Sequence, residues 1–159
     1  MADAQYETDI LVWSEQQADL LRRAAVGERV NGLDWPNLIE EISAVGRAEL
    51  HAVESLPGQA LLRLLKMVGW PDAAAVPHWR AEALAFLRRA ARQFAPGMRQ
   101  RIVLRDIYED ALVQAGSDCI DGAAPLPLPP LCPLALDDLL SMPTDVTEFF
   151  RRLAAAAAG

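Results

Sequence analysis

The 159-residue chain predicts an all-α fold, an irregular helical bundle of about five main helices with a proline-rich C-terminal strap and short terminal helices. Three observations carry this. Ala and Leu dominate a composition that is 52% hydrophobic yet only 6% aromatic. β-branched runs are nearly absent, which favours helix over strand. Apolar residues recur at helical spacing in segments separated by glycine and proline. The length suits one domain over residues 1–159. No apolar stretch reaches the roughly 18 residues of a membrane span. The opening "MADAQYETD" lacks a basic-then-apolar leader, so cytoplasmic residence is the expectation.

Thr8 is the expected N-cap of a first helix over residues 9–26, with Ile10, Trp13, Gln17, Leu20, Leu21 and Ala24 on one face. Asp19 stands at ion-pair spacing from Arg22 and Arg23. A second helix starts at Asp34, a good N-cap, with Pro36 tolerated in its first turn. Leu38, Ile42, Val45, Val53 and Leu56 make its core stripe, flanked by Ile39 and Leu50. Gly46 falls on that stripe, which predicts a close helix–helix approach. Pro57-Gly58 predicts a kink or a new helix, because the apolar stripe shifts phase there and proline removes a backbone donor. Further helices are expected over 77–94, with Trp79, Ala83, Phe86, Leu87, Ala90 and Phe94 inward, and over 98–115. "APLPLPPLCP" should form an extended strap held by Leu126, Leu128, Leu131 and Leu134, followed by short helices over 135–141 and 144–156.

Several blocks resemble a bacterial family known as domain of unknown function 29. The first is Tyr6, Glu7, Asp9, Ile10 and Trp13. The second and most specific runs from Leu33 and Asp34 through Asn37, Leu38, Ile39, Glu40, Glu41, Ile42, Val45, Gly46 and Arg47 to Glu49. Leu61, Leu62, Leu64, Leu65 and Lys66 answer the family's leucine-rich run, with Arg63 where that pattern carries histidine. Trp79 and Cys132-Pro133 resemble later blocks. The resemblance spans about residues 6–143, leaving 144–159 as a helical extension. It implies an all-helical fold and no assigned activity. Trp13, Asp34, Asn37, Gly46 and Glu49 are its structural motif residues.

The acids of the second block are the first chemical candidates. On a helical wheel Glu40 falls opposite the core stripe, Glu41 borders it and Glu49 lies within it. A buried Glu49 would need a partner, for which Arg63, Lys66, Trp13, Trp35 and Tyr6 are the candidates. The favoured reading is a packing charge; the alternative is a dispersed-site hydrolase or nuclease using Glu40, Glu41, Glu49 and Lys66. No Glu-x-x-His pair, His-Glu-x-x-His, Gly-x-Ser-x-Gly or phosphate loop occurs. Cys119 and Cys132 match no zinc spacing, so neither metal nor cofactor is expected.

Charge is strongly segregated. Residues 1–54 hold eleven acids and four bases, residues 55–105 two acids and nine bases, and residues 106–150 nine acids and no base. Arg88, Arg89, Arg92 and Arg99 make a basic patch that could meet phosphates. The overall charge of −7 opposes that reading. The leading expectation is therefore a non-catalytic interaction or regulatory domain, pairing with an unknown protein or with a second copy.

Overall fold

The computed structural model describes residues 2–159, with side chains from Gln5 onward. Seven α-helices form, and the described residues contain no strand beyond one isolated bridge, Ile120 to Ala123. These are α1 (Ala2–Thr8), α2 (Ile10–Ala25), α3 (Trp35–Gly69), α4 (Val76–Gln93), α5 (Leu104–Ser117), α6 (Leu136–Leu139) and α7 (Val146–Ala157). The fold class is all-α. Among the described residues no helix is long and apolar enough to cross a membrane.

The helix starts follow their caps, with two departures from expectation. Asp9, not Thr8, caps α2, its carboxylate accepting from the Val12 amide at 3.1 Å, so that the residues before it form α1 instead of loop. The segment after Phe94 makes only a 3-10 turn over Pro96–Met98, and α5 waits until Leu104. Arg23 turns to Glu28 at 2.8 Å instead of Asp19, because Gly27, at φ +87°, reverses the chain just after the helix.

The chain gathers into two units, Met1–Glu49 and Leu50–Gly159, with α3 contributing residues to each. In the first unit Trp13 and Leu38 are the buried apolar residues, with Gln17 and Asp34 buried beside them. Ile10 and Leu21 are exposed. So are Ile42 and Val45, against the core stripe that periodicity assigns them; Val53 and Leu56, beyond the unit boundary, are buried as expected. Helical period identifies which residues share a face, but not whether another element covers it.

The second unit holds the large core, with Leu61, Leu64, Leu65 and Met67 of α3, Trp79, Ala83 and Leu87 of α4, and Tyr108, Ala111 and Ala115 of α5. Phe149 and Leu153 of α7 complete it. Pro57 neither ends α3 nor starts a new helix: α3 runs on through it to Gly69. The proline ring is fully buried. Burial of the leucines one and two turns beyond it offsets the lost backbone bond.

The strap is fixed by polar anchors together with two of its four leucines, Leu128 packed against the core and Leu134 within it. Leu126 and Leu131 are exposed, while Pro129 and Leu134 are buried. The Leu126 amide donates to the Gly69 carbonyl at 2.9 Å, and the Trp70 indole to the Ala123 carbonyl at 2.9 Å. Tyr108 hydroxyl donates to the Pro129 carbonyl at 2.7 Å. Any Cβ on Gly69 would lie 2.9 Å from Pro125 Cβ, so glycine is what lets the strap cross the end of α3. Tyr108→Phe should lower stability by roughly 1–2 kcal/mol, because it leaves the buried Pro129 carbonyl without its donor. Urea unfolding should show this as a lower midpoint at unchanged slope.

Candidate functional site

The family-type blocks converge in the first unit on a buried polar knot around Asp34. The carboxylate caps α3 by accepting from the Asn37 amide at 3.4 Å. It also accepts from the Asn37 side-chain amide at 2.8 Å and from the Trp13 indole N–H at 3.1 Å. The Asp34 amide in turn donates to Gln17 Oε1 at 2.9 Å, and Gln17 Nε2 donates to the Gly32 carbonyl at 3.3 Å. Gly32, at φ +93°, makes the turn that brings Asp34 back to α2. The hydrogen bonds from Asn37, then Trp13, hold the Asp34 carboxyl below the ordinary aspartate range against the opposing effect of burial.

Asp34, not Glu49, is thus the buried acid of this region. Glu49 is exposed, contrary to its place on the wheel, because the α3 face that carries it is uncovered. Four of the five partners expected for it are engaged elsewhere. Trp13 serves Asp34, and Tyr6 donates to Glu41 at 2.6 Å. Arg63 donates to Glu82 at 2.6 Å, and Lys66 pairs with Asp118 at 2.7 Å. Trp35, the fifth, is 57% exposed. Glu40 is exposed and pairs with Arg47. Of the dispersed-site acids, then, Glu40 and Glu41 each hold a partner and Glu49 stands in solvent.

Gly46 makes no close approach among the described residues: a Cβ there would meet nothing within 4 Å. It sits among Trp35, Ile39, Ile42 and Val45, which are 57%, 62%, 71% and 65% exposed. These residues form a continuous apolar stripe on one side of α3, of which periodicity assigns Ile42 and Val45, flanked by Ile39, to the core.

In the second unit, Arg63 occupies the histidine position of the family-like run. It lies over the Phe86 ring at 5.8 Å and pairs with Glu82, which His78 also approaches at 3.5 Å. The Arg63 hydrogen bond holds the Glu82 carboxyl below its ordinary range. Of the basic patch, Arg99 is bound by Asp137. Arg88, Arg89 and Arg92 stand exposed on α4, with no ion pair among the described residues.

A cleft of about 380 Å³ lies between the middle of α3 and α5, lined by His51, Glu54, Gln59, Leu62, Asp110 and Gln114 among others. Its one hydroxyl, on Ser55, donates to the Ala52 carbonyl at 2.9 Å. Among the described residues no three His, Cys, Asp or Glu side chains come together in a way that could hold a metal ion.

A family model described as "Domain of unknown function DUF29" matches residues 5–143. The chain belongs to this family. A crystal structure of an alpha-helical protein of unknown function from Rhodospirillum rubrum ATCC 11170 is 32% identical, with a TM-score of 0.70. The match covers 93% of this chain and 96% of that one. No curated protein matches. In this DUF29 chain, the Trp13, Asp34 and Asn37 of the fingerprint form one hydrogen-bonded cluster, which gives them a structural purpose independent of any activity.

Trp13→Phe should cost roughly 1–2 kcal/mol by removing a buried donor from a charged acceptor. The depressed Asp34 group contributes stability that is present above its unfolded-state pKa and lost as pH falls through its lower folded value. Asp34→Asn should therefore flatten the acid limb of the stability–pH profile, as read by urea midpoints between about pH 2 and 6.

Proposed function

We propose that this DUF29 chain is a non-catalytic protein-interaction domain whose working surface is the bare stripe of α3. One observation carries the reading: Trp35, Ile39, Ile42 and Val45 are all more than half exposed on one side of a single helix, around a glycine with open space above it. Isolated exposed apolar residues are ordinary, but a contiguous patch marks a surface that another molecule covers. The hydrolase reading built on Glu40, Glu41, Glu49 and Lys66 has less support, since Glu40, Glu41 and Lys66 already hold protein partners. Free Cys119 and Cys132 fit a reducing, cytoplasmic setting.

Replacing Ile42→Glu together with Val45→Glu should leave the fold intact, with stability within about 0.5 kcal/mol, because both sites face solvent. The same pair should abolish the adducts that the tagged chain forms when crosslinked in its host. Adducts unchanged by the double substitution would overturn the reading.

A second reading rests on a separate observation, the unpaired Arg88, Arg89 and Arg92 on α4. Such a ridge supports contact with a polyanion. Changing all three to Ala should weaken binding to a single-stranded oligonucleotide at low salt at least tenfold. No measurable wild-type binding at low ionic strength removes this reading.

A further inference from the structure

The stripe on α3 is bare, and its residues can be matched with themselves about a two-fold axis. We infer that its partner is a second copy of this chain, packed antiparallel about a two-fold axis passing beside Ile42. This deepens the interaction-domain reading and rests on it.

The argument begins from helix geometry. At 100° per residue, Trp35, Ile42 and Glu49 are spaced by seven and fall nearly in line along α3. Ile39 and Gly46, also seven apart, form a parallel line on one flank of it; on the other flank only Val45 is exposed, since Leu38 is buried in the first unit. A two-fold axis perpendicular to the helix, in the contact plane at Ile42, exchanges the two ends of each line and keeps each flank on its own side. Ile42 then meets Ile42 of the second copy. Ile39 of each copy lies over Gly46 of the other, filling the space that nothing in the chain itself occupies.

The same operation brings Trp35 of each copy to Glu49 of the other. These are the stripe's two polar groups. Neither the Trp35 indole N–H nor the Glu49 carboxylate has a partner among the described residues. One is a donor only and the other, ionised, an acceptor only, so the axis satisfies both pairs at once. An isologous contact demands such self-complementarity, whereas an unrelated partner does not.

A strip from Trp35 to Glu49 is about 21 Å long and about 10 Å wide. That is small against the roughly 800 Å² per partner of a standard interface. The dimer is therefore a weak, transient one.

The test uses the full chain with the photocrosslinker p-benzoylphenylalanine placed at Ile42, irradiated both as purified protein and in the host, with sedimentation equilibrium of the unmodified chain. The expected result is an adduct of two copies in both settings and a concentration-dependent dimer. Gly46→Leu puts its Cβ in open space at an exposed position and removes a poor helix former, so the fold should persist. It should nonetheless weaken the dimer at least tenfold by blocking Ile39 of the other copy. An adduct only with a different protein, or a dimer that Gly46→Leu leaves unchanged, overturns the two-fold pairing while the stripe remains an interaction surface. A monomer at about 200 μM with no adduct in either setting overturns the pairing and the interaction-domain reading together.

Discussion

The first unit depends on one buried carboxylate. Asp34 caps the start of α3, holds Asn37 and receives the Trp13 indole of α2, while its own amide is held by Gln17. An uncompensated charge at such a site would be costly, so each of these donors is required by the presence of the others. The cluster also sets the orientation of α3. With Asp34 and Glu41 committed to Trp13 and Tyr6, the side of the helix carrying Leu38 faces inward. The side carrying Ile39 and Ile42 is left outside. The apolar stripe is exposed as a consequence of polar satisfaction, not of weak hydrophobicity.

The second unit is held by a different device. Its leucine-rich core would be open along the end of α3 without the strap, and the strap has few inward side chains of its own. Backbone carbonyls supply what is missing: those of Gly69, Ala123 and Pro129 each accept a bond that fixes the extended segment. Proline suits this work, since an extended chain of prolines retains its carbonyl acceptors while losing little entropy on ordering. Arg63 illustrates a smaller substitution of chemistry. A permanent cation stands where the family resemblance leads one to expect histidine, and it secures Glu82 of α4, with Phe86 beneath it.

Much of this was legible from residue order. The all-α class, the cap at Asp34, the inward faces of α4 and the extended strap follow from propensity, capping chemistry and period. The misassignments share a cause. Ile42, Val45 and Glu49 lie on the stripe that period marks as apolar, but period cannot report whether a neighbouring element arrives to cover it. Gly46 was linked to a close helix–helix approach, yet no atom of the described chain approaches it. Pro57 starts no new helix because its penalty is local, while burial of Leu61, Leu64 and Leu65 is collective. The polar knot escaped notice because Trp13 and Asp34 are 21 residues apart, and hydrogen-bond partners across a turn leave no periodic signal.

The strap also sets an order of events during synthesis. Trp70 must wait for Ala123, 53 residues later, before its indole finds an acceptor, and Tyr108 waits 21 residues for Pro129. At roughly 5–20 residues per second, the oily second half of α3 leaves the ribosome several seconds before the segment that seals it. The first unit has no such delay, since Asp34 and all its donors lie within residues 13–37. The chain therefore has an early-closing end and a late-closing end, and its exposure to aggregation or to chaperones is concentrated in the interval between them.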